Sequence, residues 1–153
     1  MKTKTSLLTV VLCFAAATAC FASPFMGTWK LNEAKSKFTA HAAKNATVVY
    51  QHLFFQTKIT VDGTDAKGKP AHNEWTGKFD GQDYAVTGDS MSDMRAYKVV
   101  NDHAMDMTVK KSGKVVGTGK VVVAADGKSR TVTTWGKNSK GKKVTNAAVY
   151  DKQ

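Results

Sequence analysis

From residue 47 onward the chain consists of short runs with high β-propensity, separated by turn signals at roughly ten-residue intervals. Turns such as Asp80-Gly81-Gln82 and Lys140-Gly141-Lys142 supply residues that tolerate positive φ or form Asx turns. This spacing predicts strands near residues 25–31, 47–54, 57–65, 70–79, 83–87, 93–100, 103–111, 114–124, 129–138 and 143–151.

Several of these runs alternate between apolar and polar residues, as a strand with one buried face does. Met105, Met107 and Val109 fall on one side of their strand, and Arg95 and Tyr97 share a face of another. Ten hairpin-linked strands laid flat would leave two long edges open. We therefore predict an all-β protein, an antiparallel up-and-down β-barrel of about 8–10 strands. A two-sheet sandwich is the alternative fold.

The segment from Asn32 to Asn45 lacks strand character and holds few apolar residues. Its stretches 33–38 and 40–44 have the composition of short helical turns. We predict a short helical or irregular lid after the first strand, over one end of the barrel. A plain surface loop is the alternative.

The first 22 residues show the three parts of a secretory signal: a basic start, an apolar run from Leu7 to Ala17, and small residues at the exit. The run is too short to span a bilayer. We expect cleavage after Ala22, which leaves residues 23–153 as a single β-barrel domain in the periplasm or secreted. A second interpretation treats residues 17–20 as a lipobox, with a lipidated Cys20 that tethers the domain to a membrane.

Both cysteines, Cys13 and Cys20, fall in the predicted signal, so the mature domain has no thiol and depends on its core for stability. Removal of 22 of the 153 residues leaves about 130, enough for one domain. The full chain has a formal net charge of +11, which falls by two when Lys2 and Lys4 are lost. We expect a basic monomer.

The chain offers little for catalysis or metal binding. Its histidines, His41, His52, His72 and His103, stand singly, with none of the local pairs that metal sites use. It contains no nucleophile elbow and no Gly-rich phosphate loop. Turn preference accounts for most of the aspartates. We expect no enzymatic activity, no metal and no cofactor.

Aromatic residues and methionines concentrate in the predicted strands, where such residues line either a packed core or a ligand cavity. We predict a ligand-binding role for a set that includes two arginines as candidate counter-ions: Trp29, Tyr50, Phe54, Trp75, Arg95, Tyr97, Met105, Met107, Arg130 and Trp135. A filled core is the alternative.

Lysines are concentrated in alternate turns. In an up-and-down meander the turns at 66–69, 88–92, 111–114 and 139–142 share one end with the predicted lid. That end then collects a basic rim: Lys35, Lys37, Lys44, Lys67, Lys69, Lys110, Lys111, Lys114, Lys137, Lys140, Lys142 and Lys143. Such a rim attracts anionic ligands or an anionic membrane surface. Solvated lysines that serve solubility are the alternative.

Nucleic acid is a poor candidate partner in spite of the positive charge. Basic and aromatic residues are not interleaved on one strand face as a base-stacking platform requires. Arg95 and Arg130 are the chain's only arginines. We expect no nucleic-acid binding.

The run Phe25-Met26-Gly27-Thr28-Trp29-Lys30-Leu31 resembles the Gly-x-Trp opening strand of the calycin superfamily, which includes the lipocalins and fatty-acid-binding proteins. The ending Val149-Tyr150-Asp151-Lys152 is similar to their closing strand. The resemblance implies a lipid-binding barrel with a lid after the first strand. In fatty-acid-binding proteins an Arg two places before the final Tyr grips the ligand carboxylate. That position is Ala148 here, so Arg95 or Arg130 could substitute only if its strand face points inward.

Residues 27–38, with 84–88 and 150–152, resemble more closely a group of small exported bacterial lipocalin-like proteins without an assigned function. Together these patterns predict a periplasmic or secreted binding protein for a small hydrophobic or amphipathic ligand, with Trp29 closing the barrel floor. The alternative is a ligand-free module that docks on the anionic envelope or an acidic protein through the basic rim.

Overall fold

The computed structural model describes residues 23–138 and 140–153, so the predicted signal and Cys20 lie outside the described residues. The described chain forms ten strands: β1 Gly27–Leu31, β2 Lys44–Leu53, β3 Gln56–Thr64, β4 Pro70–Gly77, β5 Tyr84–Thr87, β6 Met94–Asn101, β7 Ala104–Lys111, β8 Lys114–Val123, β9 Ser129–Lys137 and β10 Lys143–Lys152.

The strands pair in chain order, and β1 closes the ring by pairing with β10. The closing ladder places Trp29 opposite Lys152 and Leu31 opposite Tyr150. Every pairing is antiparallel, so the predicted up-and-down barrel is confirmed and the sandwich alternative is wrong. Closure pairs both edges of each described strand, which removes the exposed edges of an open sheet.

Consecutive antiparallel strands place their connections alternately at the two ends of the barrel. We call the end where β1 begins the base; it holds residues 23–26, 54–55, 78–83, 102–103 and 124–128. The opposite end, which we call the mouth, holds residues 32–43, 65–69, 88–93 and 112–113 and the connection between β9 and β10. The lysine-rich turns share the mouth, as the ten-strand count predicts.

The segment after β1 makes one 3-10 turn, Glu33–Lys35, in which the N–H of Lys35 donates a hydrogen bond to Oδ1 of Asn32. It then runs beside β10 beyond the end of β1. Lys37 bridges to Ala147, and the Ser36 hydroxyl accepts a hydrogen bond from the N–H of Val149. The short, mostly irregular lid is confirmed. No helix of the described residues is long and apolar enough to cross a membrane.

The base half of the interior is filled by aromatic rings around Trp75. Its ring stacks on Phe79 at a centroid distance of 6.0 Å and meets Tyr97 edge-on at 4.9 Å. The indole Nε1 donates a hydrogen bond of 2.8 Å to the carbonyl of Arg95, so burial leaves this donor satisfied. Offset and edge-on ring pairs add about 0.5–1.5 kcal/mol each beyond their buried area. The cluster forms a rigid floor.

β5 is the shortest link in the ring. It pairs with β4 through Thr87 and Val86, and with β6 through Tyr84 and Ala85. The neighbouring ladders run along most of the length of their strands. The wall is therefore least continuous at β5.

Gly77 sets the packing of the floor, because a Cβ there would overlap the ring of Tyr84 and lie 2.7 Å from Cζ2 of Trp75. We expect Gly77→Ala to lower the free energy of unfolding by about 1–3 kcal/mol, as overpacking does, measured by urea denaturation. Gly136→Ala is the matched control, since the nearest atom to its Cβ would be the Val116 carbonyl oxygen at 3.4 Å. Equal effects of the two substitutions would contradict this account.

Candidate ligand-binding cavity

A cavity of about 110 Å³ lies inside the barrel, beyond the aromatic floor. It extends from Asn45 and Thr134, near the mouth ends of β2 and β9, toward Arg130 and Tyr150 near the base. Its sides are largely aliphatic and include Val48, Ile59, Val61, Val109, Val121 and Val132. The cavity therefore combines apolar walls with a strongly polar inner end.

Arg130 dominates that inner end and is only 2% exposed. The register of β9 and β10 places it directly opposite Tyr150. Its guanidinium carbon lies 4.7 Å from the ring centres of Trp29 and Tyr50, and 4.9 Å from that of Tyr150. A desolvated cation over an aromatic face gains about 0.5–2 kcal/mol, so the three rings hold the arginine in place.

The rings do not satisfy the hydrogen-bond donors of Arg130. Its Nε and Nη1 atoms are buried without a hydrogen-bond partner among the described residues. Burial of a charge and of unpaired donors is unfavourable unless an anion or acceptor compensates for it. Arg130 is therefore a preformed cationic site with unused hydrogen-bonding capacity.

Arg95 differs from Arg130 because it has a carboxylate of its own. Its Nη2 donates to Oδ2 of Asp89 at 3.1 Å, within the connection between β5 and β6. The Asp89 carboxylate also accepts hydrogen bonds from the Met91 N–H and the Ser92 hydroxyl. The charge of Arg95 is thus compensated within the chain, which leaves Arg130 as the stronger attractor for an external anion.

The tyrosines beside Arg130 supply no counter-charge. Burial raises the pKa of Tyr50 from 10.0 to about 12, although the positive charge of Arg130 opposes the shift. Burial also raises the pKa of Tyr150 to about 12, again against the effect of Arg130. Both hydroxyl groups stay neutral near pH 7, so they contribute polarity but no negative charge.

Five of the predicted ligand-binding residues line the cavity: Tyr50, Arg95, Tyr97, Met107 and Arg130. Both arginines therefore face the interior. Either one must do so if it is to replace the ligand-binding arginine of the fatty-acid-binding proteins. That these residues bind a ligand stays a prediction.

Three other predicted residues belong to the packing around the cavity. Trp29 is fully buried, donates from Nε1 to the carbonyl of Phe25, and lies against Arg130 as part of the floor. Trp75 and Met105 are also buried but do not line the cavity, so their assignment to its wall was wrong. Trp75 packs instead against Phe79 and Tyr97 within the floor.

Phe54 and Trp135 were wrongly assigned to the interior. β2 ends at Leu53, and Phe54 is 93% exposed in the connection that follows. Trp135 is 43% exposed, because the cavity-lining residues of β9 are the even-numbered Arg130, Val132 and Thr134. An odd-numbered neighbour in a regular strand points to the opposite face.

Tyr150 and the valines of the cavity wall were not predicted as ligand-binding residues. Tyr150 lies opposite Arg130 in the ladder, whereas Ala148 lies opposite Val132. An arginine is thus brought next to the final-strand tyrosine from the adjacent strand. Counting strand positions from the Asp126-Gly127 turn would have placed Arg130 and Val132 on one face.

A larger depression of about 420 Å³ opens at the mouth between the lid and the β3–β4 connection. Its lining is mostly exposed or partly exposed, and Asp65 there already accepts hydrogen bonds from the N–H groups of Lys67 and Lys69. Among residues 23–138 and 140–153, no group of three or more His, Cys, Asp and Glu side chains is placed to hold a metal ion. The enclosed cavity is the stronger candidate site.

No protein-family model and no curated protein matches the chain. The solved structure of EF1p2_mFAP2b bound to DFHBI is similar, with 11% identity, a TM-score of 0.49, and coverage of 85% of this chain and 94% of that one. The redesigned β-barrel mFAP1 bound to DFHBI shows 14% identity, a TM-score of 0.46, and coverage of 84% and 95%. At such values neither structure indicates a ligand for this chain.

The geometry of the described residues therefore defines the class of this protein. It is a closed ten-stranded antiparallel barrel with an internal cavity. This architecture agrees with the one that the Gly-x-Trp resemblance implies. Membership of the calycin superfamily stays a prediction.

The raised pKa values of Tyr50 and Tyr150 make stability depend on pH at the alkaline end. The unfolded chain loses each phenolic proton near pH 10.0, whereas the folded chain holds it to about 12. Stability is therefore lost as pH rises through this window, by about 1.4 kcal/mol per pH unit for each tyrosine. We expect Tyr150→Phe to make the decline shallower in urea denaturation curves between these values. An unchanged slope would show that Tyr150 titrates normally.

Proposed function

We propose that the barrel binds a small amphipathic anion in its interior. The observation that carries the proposal is Arg130, a buried cation with unpaired donors at the inner end of an apolar cavity. A carboxylate or similar oxyanion would compensate the charge and accept charge-assisted hydrogen bonds. An uncharged ligand could accept a hydrogen bond but would leave the charge uncompensated.

The arrangement of the cavity gives the ligand a direction. Its acidic group lies at Arg130, near Tyr50 and Tyr150, and its apolar part lies along the aliphatic walls toward Asn45 and Thr134. Burial of the apolar part contributes about 25 cal/mol per Å² removed from water. High affinity thus requires a ligand that has both an acidic group and an apolar part.

The volume of the cavity favours a short ligand. At about 110 Å³ it is smaller than the roughly 300–1,000 Å³ of typical small-molecule pockets. A short-chain or compact organic acid suits this space, whereas a long acyl chain requires rearrangement of the walls or the mouth.

The groups around the cavity support binding rather than catalysis. The titratable groups that line it are two arginines and three tyrosines, and a general acid or base works best with a pKa near the operating pH. We propose a carrier or sequestering protein that acts in the periplasm or is secreted. The signal-like features of residues 1–22 support the location.

The second candidate function is docking on an anionic surface through the basic rim. It is favoured by the concentration of lysine-bearing turns at the mouth. Three of these lysines, Lys35, Lys44 and Lys110, pair with carboxylates, which reduces the field of the rim. Binding of this kind weakens steeply with salt.

The test compares hexanoate with 1-hexanol by isothermal titration calorimetry. We expect the wild-type protein to bind hexanoate in preference to the alcohol. Arg130→Met should weaken hexanoate binding by about 2–5 kcal/mol, the range for removing one partner of a buried charge pair.

Lys111→Met is the control, because it removes one positive charge from the exposed rim and leaves the cavity intact. Thermal unfolding of each variant verifies that it is folded. Equal binding of hexanoate and hexanol, or equal losses in the two variants, would refute the cavity as an anion site. Weakening by salt together with loss in Lys111→Met would favour the rim.

A further inference from the structure

The connection between β2 and β3 exposes two adjacent phenylalanines at the base. Phe54 is 93% exposed and Phe55 87% exposed, and the preceding Leu53 is 42% exposed. Among the described residues these two have the highest exposures of any large apolar side chains. Contiguous exposed apolar groups of this kind mark interaction sites more often than scattered ones do.

The hairpin projects beyond the packed interior. Val48 and Tyr50 are buried on the inner face of β2, but His52, the next residue on that face, is exposed. On β3 the inner face becomes buried only from Thr57 onward. Residues 52–56 therefore extend past the floor as a free tip.

Phe54, in this tip, has a backbone conformation in which glycine or asparagine would be more stable. Phe54 has a φ of +44°, in the left-handed region that glycine and asparagine occupy at lower energy. Its exposed ring gains nothing from the barrel interior that would offset this. A role outside the fold would account for a phenylalanine at this position.

We propose that this tip, Leu53–Phe55, inserts into the interface of a lipid bilayer. The segment from Gln51 to Thr57 has no Lys, Arg, Asp or Glu, so the tip enters the headgroup boundary without burying a permanent charge. The first charged neighbour, Lys58, pairs with Glu74 at 2.7 Å. Leu53 pairs with Gln56, so the backbone is paired up to the two-residue turn.

The size of the tip fits a lipid better than a protein partner. Two phenylalanines bury about 150–250 Å² each, well short of the roughly 800 Å² per partner of a stable protein interface. Shallow insertion of aromatic side chains needs no such area, and it adds to a second attachment rather than acting alone.

The alternative interpretation of the sequence, a lipidated Cys20, would supply that second attachment at the same end. The described residues begin at the base with Ser23, directly after the segment that holds the apolar run Leu7–Ala17 and Cys20. Any membrane attachment of that segment brings the base, and with it the Phe54–Phe55 tip, to the bilayer. The basic rim at the mouth then faces away from that surface.

The test uses the chain from Ser23 to Gln153, since these residues form the closed barrel and its core. An N-terminal hexahistidine attaches it to phosphatidylcholine vesicles with nickel-chelating lipid. This chain has no cysteine, so Gln56→Cys carries a single environment-sensitive fluorophore at the tip and Lys114→Cys carries one at the mouth. We expect a roughly twofold or greater rise in emission at the tip label on attachment, and none at the mouth label.

Phe54→Asn with Phe55→Ser should abolish the rise, and asparagine suits the positive φ, so the hairpin should stay folded. Val115→Ser with Val116→Ser is the matched control, because these valines are exposed at the mouth end of β8. The control should leave the rise intact, and about 0.5 M NaCl should not reduce it.

A tip label that does not respond, or a mouth label that responds equally, would overturn the proposal. A response of the tip label without vesicles that grows with protein concentration would overturn it in favour of contact between copies of the chain. Neither result depends on ligand binding in the cavity.

Discussion

Ring closure between β1 and β10 is the constraint on which the rest of the structure depends. β1 has only five residues, and the segment after it completes the wall beside β10 through Lys37 and Ser36. Because the ring is closed, one side of each strand faces an enclosed interior. That enclosure buries Arg130, raises the pKa values of Tyr50 and Tyr150, and gives the cavity its mixed character.

The interior is divided between stability and binding. Toward the base, ring pairs around Trp75 fill the space, and their polar groups are satisfied within the chain, as the indole bond to the Arg95 carbonyl shows. Beyond them the same enclosure surrounds Arg130, whose Nε and Nη1 donors lack partners among the described residues. The two arginines of the cavity therefore differ: Arg95 is paired with Asp89, whereas Arg130 has no carboxylate partner among the described residues and lies against the faces of Trp29 and Tyr50. A site that is unfavourable when empty is suited to a ligand that completes it.

The sequence allowed the strand count, the order of the turns and the closed barrel to be predicted, because turn residues and alternation are local signals. It located the cavity less well. Arg130 and Trp135 were assigned to the same interior, although an odd separation along a regular strand puts them on opposite faces. Phe54 has the same parity as Tyr50, but alternation alone does not show where a strand leaves the core. The contact of Arg130 with Tyr150 depends on register between β9 and β10, which no local pattern reveals.

The short β5 has a consequence for the mechanics of the barrel. A closed sheet opens most easily where neighbouring strands share the fewest backbone pairs. In this barrel that place is β5, which has few residue pairs with β4 or with β6. Local opening requires less free energy than global unfolding wherever few hydrogen bonds must break. Arg95 is paired with Tyr84 of this strand and is tied to Asp89 just beyond it. Resistance to strain is therefore uneven around the circumference, and the most compliant sector adjoins Arg95, which lines the cavity from β6.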